Sequence, residues 1–263
     1  MRAPSDELRA FAEDPRAFVA LGPDEERIQT DRFAVTFTPG VHFWSTSVQR
    51  LRLSDDVDGA VAEVRGLMAE RERTSAVWQV GPSASPAGLT GHLQRLGMEP
   101  EYRDGSTILI LTEPPAATPS PFEVKRAATY AEHRAAIEVS AEGFAFEDVD
   151  ADDERRRARD TFRSERTGAH TFRLLAFDGH RPVATLQAWR APVGLYIGGA
   201  TTLPSDRGRG AMSTLLVTAW NEADREGTPA LVAFGGHMST PLMERIGFRP
   251  HGRIQHLIDR IAR

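Results

Sequence analysis

The string Leu96-Gly97-Met98-Glu99-Pro100 is answered 150 residues later by Ile246-Gly247-Phe248-Arg249-Pro250, and the segments that lead into the two strings run in the same order. Val57, Ala60, Val61, Val64, Leu67 and Met68 stand at offsets 0, 3, 4, 7, 10 and 11, one face of a helix. An apolar run from Ala76 to Val80 and a short segment reaching Leu96 follow. In the second half Met212, Leu215, Leu216, Ala219, Trp220 and Ala223 stand at offsets 0, 3, 4, 7, 8 and 11. They precede a strand-like run from Ala230 to Phe234 and a short helical segment around Pro241 to Ile246. A helix, a strand and a glycine-capped short helix, met twice, predict a divergent internal duplication. Two unrelated domains that each end in a glycine-capped helix would leave the same mark.

Between the halves, Glu113-Pro114-Pro115-Ala116-Ala117-Thr118-Pro119-Ser120-Pro121 places four prolines in nine residues. Prolines at that density remove backbone donors and bias their neighbours away from helix. The expected division is therefore 1–113, a linker at 114–121, and 122–263. Residues 1–113 carry 12 arginines against 18 acidic residues, a net of −6, while the remainder is close to neutral. Neither half has the basic stripe of a nucleic-acid binder. No run approaches the ~20 apolar residues of a membrane helix. The first 21 residues are acidic and broken by Pro4 and Pro15, unlike a signal peptide, so a soluble cytoplasmic protein is expected. The chain has no cysteine, which excludes disulfides, thiolate nucleophiles, cysteine-ligated zinc and iron–sulfur centres. None of the eight histidines shows metal-ligand spacing.

In the second half, Thr129-x-x-Glu132 predicts a capping box opening a helix to about Ser140, and Asp152 is expected to cap an arginine-rich helix ending at Gly168. Thr171 to Phe177, Arg181 to Arg190 and Gly194 to Thr202 read as an antiparallel meander of three strands, rich in β-branched and aromatic residues. Phe248 to Ile261 supplies one or two final strands.

Pro204-Ser205-Asp206-Arg207-Gly208-Arg209-Gly210-Ala211-Met212-Ser213 lies between the third strand of the meander and the amphipathic helix. A strand, a glycine turn and a helix start make an anion site. The glycines let backbone approach a ligand, and the first N–H groups of the helix point into the turn beside the positive end of its dipole. Arg207 and Arg209 add charge. An exposed Arg-Gly turn is the plainer alternative. The loop is neither a Walker A sequence nor the Gly-x-Gly-x-x-Gly of a dinucleotide fold.

This loop, in that element order and followed by Pro241-Leu242-Met243-Glu244-Arg245-Ile246-Gly247-Phe248, resembles the GNAT superfamily of N-acetyltransferases, whose pyrophosphate loop reads Arg/Gln-x-x-Gly-x-Gly/Ala. Met212 departs from the pattern, standing where Gly or Ala is usual. The resemblance covers the second half. It implies an α+β fold of two GNAT-like domains, each a mixed central β-sheet flanked by helices, the N-terminal one a degenerate copy. It implies acetyl-CoA as co-substrate and no metal. Thr202 and Leu203 would pair through backbone groups with the pantetheine arm, and Arg207, Gly208, Arg209, Gly210, Ala211, Met212 and Ser213 would hold the pyrophosphate. Gly198-Gly199 fits the place where this strand parts from the next. At the matching place in the first half stands Leu53-Ser54-Asp55-Asp56-Val57-Asp58-Gly59, whose three carboxylates repel phosphate, so one coenzyme site is expected.

The implied reaction is direct transfer of acetyl to a primary amine of a small molecule or peptide. The family's tyrosine, four residues before the Gly of Gly-Phe, is replaced by Met243. Candidate substitutes are His237, Tyr196 and Ser239, with Trp189 a candidate for the acceptor pocket. For each of these, surface-loop, helix-capping or core-packing roles remain open. Glu142 and Glu147, with Asp148, Asp150, Asp152 and Asp153, crowd the first interhelical connection and could attract a cationic amine; a solvated loop is the alternative. A non-catalytic acyl-CoA-binding or regulatory protein is the competing reading.

Overall fold

Both periodic segments form helices in a computed structural model that describes residues 3–116, 120–146, 148–168 and 170–261. In chain order the first half contains α1 (Asp6–Glu13), β1 (Glu26–Gln29), β2 (Ala34–Phe37), β3 (Thr46–Gln49), α2 (Val57–Glu70), β4 (Ser75–Val80), α3 (Leu89–Arg95), β5 (Glu99–Pro100) and β6 (Ser106–Leu111). The second contains β7 (Glu123–Arg126), α4 (Tyr130–Phe144), α5 (Asp148–Gly168), β8 (Thr171–Asp178), β9 (Arg181–Ala191), β10 (Gly194–Thr202), α6 (Ala211–Arg225), β11 (Leu231–Gly235), α7 (Thr240–Ile246) and β12 (Arg249–Arg260). Residues 117–119 of the expected linker lie outside the described residues. Ala116 N–H donates to Ile246 O at 2.9 Å, which ties the described start of that segment to α7.

The strands form one mixed sheet in the order β1-β2-β3-β4-β12-β6-β11-β10-β9-β8-β7, with β5 beside β12. Two of its pairings are parallel, β3 with β4 and β10 with β11, and each is bridged by one of the periodic helices, α2 or α6. A parallel step requires such a crossover. The strand that follows the short helix then leaves its own half. β6 pairs antiparallel with β11, while the last six residues of β12, Gln255–Arg260, pair with β4. Arg249–Ile254 of the same strand lie against β6, with the register shifting between Pro250 and Arg253. Phe248 to Ile261 thus gives one long strand shared by both halves.

The local reasons are legible. Thr129 Oγ1 accepts from Glu132 N–H while Glu132 returns a bond to Thr129 N–H, closing the expected capping box. The second helix, however, starts at Asp148, so Asp152 sits one turn inside it and caps nothing. Asp152 instead pairs with Arg155 at 3.0 Å, an ordinary i,i+3 contact on the exposed face. Helix α6 buries Leu215, Leu216, Ala219, Trp220 and Ala223 against Leu174, Leu186, Leu195 and Ile197. Large side chains sealed in this way contribute ~1.5–3 kcal/mol each. A second core, around Trp78, Phe33, Val48 and Val64, lies under α2, and Leu257 of the exchanged strand completes it. Asp259 on the same strand is buried and takes a two-point bond from Arg65 of α2 at 2.7 and 3.0 Å. Among the described residues no helix is long and apolar enough to cross a membrane.

Candidate active site

β10 and β11 run together only from Leu195 to Ile197, opposite Leu231 to Ala233. Beyond that point β10 bulges against β9 between Gly198 and Thr201, while β11 continues through Phe234 to Gly235 alongside β6. The two parallel strands therefore part at Gly198. A side chain there would begin 2.9 Å from a ring carbon of Trp189 and 3.5 Å from the Tyr196 hydroxyl, so both rings lie alongside the opening. Tyr196 and Trp189 stack at 5.3 Å. Burial pushes the Tyr196 phenol above its ordinary range, against a smaller opposing effect of Arg16, and the phenol stays protonated at neutral pH.

The opening leads to the loop before α6. Leu203 N–H is taken by Val183 O at 2.9 Å, and a 3-10 turn at Pro204–Asp206 follows. Its last residue organises the loop. The Asp206 carboxylate receives both guanidinium nitrogens of Arg181 at 2.8 and 2.9 Å, one from Arg209 at 2.8 Å and the Ser205 hydroxyl at 2.7 Å. Arg181, then Ser205, hold its pKa down to about 2. Arg209 also bonds Asp178 at 2.8 Å and lies over the Phe122 ring, so its charge anchors the loop from behind. Arg207 reaches the carbonyls of Thr202 at 3.2 Å and Gly143 at 3.1 Å, joining the end of β10 to the end of α4. Gly208 and Gly210 have φ of +76° and +94°, a backbone region that suits glycine. No atom lies within 4 Å of where a side chain on Gly208 would begin. The first helical bond beyond the loop runs from Thr214 N–H to Gly210 O, which leaves the N–H groups of Ala211, Met212 and Ser213 at the open end of α6. Gly210 contributes no side-chain cap. Met212 is half-buried and packs toward the core under α6, so its side chain does not fill the loop. Main-chain donors at a helix N-terminus are a donor set suited to a diphosphate.

The equivalent place in the first half is closed. Asp56 caps α2, its carboxylate accepting Gly59 N–H at 2.9 Å. The ends of β3 and β4 are filled from α1: Glu13 takes the Ser83 N–H at 2.7 Å and hydroxyl at 2.8 Å, and Asp14 takes Arg50 N–H at 3.0 Å. Beyond them the chain rejoins, with Ser85 N–H bonded to Leu51 O and Leu53 N–H to Ser85 O, both at 3.0 Å.

No family model matches the sequence, and no curated protein does. Solved structures do match. The chain is similar to a GCN5-related N-acetyltransferase from Kribbella flavida, with a TM-score of 0.70 at 18% identity over 97% of this chain and 96% of that one. The fold is that of the GCN5-related N-acetyltransferases. Two further likenesses have a TM-score of 0.57. One is a tandem GNAT protein from the clavulanic acid biosynthesis pathway, 15% identical over 100% of this chain and 90% of that one. The other is a GCN5-related N-acetyltransferase from Sphaerobacter thermophilus, 18% identical over 89% and 82%.

Within this GNAT fold the remaining candidates separate. Met243 is buried in the core under α6. His237 is exposed in the turn after β11, and Ser239, at the start of α7, makes no capping bond and donates weakly to Gly236 O at 3.4 Å. Glu142 is exposed near the end of α4, beside a cavity of about 370 Å³ that Phe146, Asp148 and Arg155 also line. Glu147 lies outside the described residues. Asp153 faces inward, accepting from Arg157 at 2.8 Å and from Val41 N–H at 3.3 Å, which docks α5 on the first half. Among the described residues no group of three acidic or histidine side chains is arranged to hold a metal ion.

The structure adds residues that sequence reasoning passed over. Phe234, at the free end of β11, faces His256 of β12 at 5.2 Å, and His256 faces Trp44 at 5.0 Å. Trp44 Nε1 donates to Glu101 Oε1 at 3.0 Å, and Glu101 Oε2 stands 3.6 Å from His256 Nδ1. Asp206 stands within the Pro204–Ser213 loop, but its partner Arg181 is 25 residues away in chain. Glu101 and His256 carry no local signal, because strand exchange alone brings them to the opening.

Proposed function

We propose that the second half binds acetyl-CoA and that the protein transfers the acetyl group directly to a primary amine of a small molecule or peptide. One contrast carries this reading: α6 starts on two open glycines at the end of a parted strand pair, whereas α2 is capped by Asp56 and its strand pair is filled by Glu13 and Asp14. The first half is then a degenerate copy whose coenzyme slot is built shut. The N–H groups of Ala211, Met212 and Ser213, with the turns at Gly208 and Gly210, would hold the pyrophosphate. Arg207 would add charge at the mouth, and the free edge of β10 up to Thr202 would guide the pantetheine arm. Bound acetyl-CoA supplies an acyl group activated as a thioester.

The chain's own residues supply position and protons. Tyr196, protonated and beside the strand opening, is the candidate donor to the departing sulfur, a role worth ~10²–10⁴ in rate. His237, in the exposed turn at the end of β11, is the second candidate, and Ser239 the third. Holding the amine against the thioester is the larger contribution. The burial of Met243 in the core favours a second reading, an acyl-CoA-binding protein without turnover.

Calorimetric titration with acetyl-CoA, followed by a thiol-release screen over primary amines, tests both. Saturable binding that Arg207→Glu weakens, with thiol release on one amine, is the expected result. Binding with no release from any amine selects the second reading, and no binding overturns both.

A further inference from the structure

The aromatic residues around the strand opening come from both halves. Phe144 and Phe146, at the end of α4, stack at 5.6 Å; Phe146 meets His42 at 5.8 Å, and His42 meets Phe43 at 4.1 Å. Trp44, His256, Phe234, Tyr196 and Trp189 continue the arc. His42, Phe43, Trp44, Phe146 and Phe234 are half-buried, and Val41, Tyr102 and Phe144 are exposed beside them, so the arc is not sealed from solvent. One carboxylate is held inside this arc. Glu101 follows β5 in the first half, its side chain 12% exposed, with Oε1 bonded to Trp44 and Oε2 buried without a hydrogen-bond partner. His256 beside it is 2% exposed, and neither of its ring nitrogens has a partner. Unpartnered buried polar atoms are costly, and two such residues facing each other next to an opening mark a place where a ligand's donors belong.

We infer that this arc is the acceptor site, that it takes a primary ammonium carried on an aromatic or apolar body, and that Glu101, supplied by the first half, removes the ammonium proton. The inference rests on the acetyl-transfer reading above and names its acceptor. Trp44 and Phe234 offer ring faces that attract a cation, and Glu101 offers the charge. In the step, one N–H proton passes to Glu101 and the freed nitrogen pair forms the C–N bond as the C–S bond breaks. Tyr196 protonates the leaving sulfur and is reprotonated by the second N–H proton. The sum is an amide, a thiol and one released proton.

The electrostatics agree. Burial raises Glu101 to about 6, partly offset by the Trp44 N–H and the nearby Tyr102 hydroxyl, so it is ionised yet basic at neutral pH. Burial also lowers His256 to about 3, which keeps the imidazole neutral beside it. The other titratable groups facing the arc are Tyr102, Tyr196, Arg16 and His42, whose imidazole burial lowers against the opposing charges of Asp150 and Glu154. His256 is a positioning residue: uncharged and with Nδ1 3.6 Å from Glu101 Oε2, it packs against the carboxylate without supplying a counter-charge that would weaken it as a base.

The test titrates wild type, Glu101→Gln and His256→Gln with 2-phenylethylamine, followed by tryptophan fluorescence with Trp44→Phe as the signal control, and separately with acetyl-CoA by calorimetry. Expected are saturable amine binding to wild type at about pH 8 and a loss of about tenfold or more both in Glu101→Gln and in wild type at about pH 5. The neutral 2-phenylethanol should bind wild type and Glu101→Gln alike, and acetyl-CoA affinity should be the same in both. His256→Gln should shift the pH midpoint of amine binding. No saturable amine binding, or equal amine affinity in wild type and Glu101→Gln, overturns the acceptor site whatever acetyl-CoA does. Absent acetyl-CoA binding with the amine results as expected overturns the coenzyme reading alone.

Discussion

Gly210→Asp, set against Gly210→Ala, separates an anion site at α6 from a structural turn. Gly210 has φ of +94°, so either side chain costs ~1–2 kcal/mol of left-handed backbone, and the alanine variant carries that cost without charge. There is room for both, since the nearest atom to a new Cβ is Ser120 Oγ at 3.9 Å. A carboxylate at this position would stand over the N–H groups of Ala211 to Ser213, the arrangement that Asp56 already has at α2. Two unit charges ~4 Å apart repel by ~1 kcal/mol in water and by ~4 kcal/mol at an effective dielectric of ~20. Two ionised phosphates then oppose binding by at least ~2 kcal/mol, about 30-fold in Kd. Calorimetric titration with acetyl-CoA should show Gly210→Asp weaker than Gly210→Ala by at least that factor, with the gap shrinking as salt is raised. Thermal unfolding should place Gly210→Asp level with or above Gly210→Ala, because the carboxylate can accept from the helix N–H groups, so weaker coenzyme binding by the aspartate variant would not reflect misfolding. Equal acetyl-CoA affinity of the two variants would refute the placement of the diphosphate at α6.

Glu13→Ala should destabilise the protein by ~1–3 kcal/mol in urea unfolding, because the Ser83 N–H and hydroxyl lose their shared acceptor, and should leave acetyl-CoA affinity unchanged. Asp259→Ala removes a buried carboxylate from Arg65; breaking such pairs costs ~3–5 kcal/mol, and the partial exposure of Arg65 lowers the expected loss to ~2 kcal/mol. A loss below ~0.5 kcal/mol would mean that the exchanged strand does not depend on this pair. The third prediction concerns acid. Because folding lowers His256 to about 3, the unfolded chain binds a proton below pH ~6.5 that the folded chain refuses, so this contribution falls as pH drops, by up to ~1.4 kcal/mol per unit. Wild type should therefore lose stability relative to His256→Gln between about pH 6.5 and pH 4, measured by urea unfolding at each pH. Asp14, raised by burial to about 6, acts with the opposite sign, its contribution falling as pH rises through 6, but it is common to both proteins.

Much of the scaffold was legible because it depends on neighbours in the chain. The offsets of Leu215, Leu216, Ala219 and Trp220 gave α6, Thr129-x-x-Glu132 gave the capping box of α4, and Gly208 and Gly210 marked an open helix start. The misplaced start of α5 has a physical reason. Asp148, Asp150, Asp152 and Asp153 all suit the first turn of a helix, and the choice among them was made by packing: Asp153 is turned inward to Arg157 and Val41, which requires a helical turn before it. From the sequence Arg209 is expected to face a ligand with its charge, yet Asp178 and Asp206 hold it as a brace, because a bidentate partner in β9 fixes which way Asp206 points.

By itself the sequence determined that two helix-and-strand units recur and that one helix start is open to an anion while its counterpart is acidic. It did so because periodicity, capping and backbone freedom are properties of a few adjacent residues. Only the tertiary structure decided that β6 and β12 exchange between the halves, and with them Glu101 and His256. Strand pairing is set by hydrogen bonds between segments far apart in the chain, such as Ile110 with Val232 and Val77 with Ile258, which leave no periodic trace in either strand. That exchange brings a carboxylate of the closed half to the opening of the other.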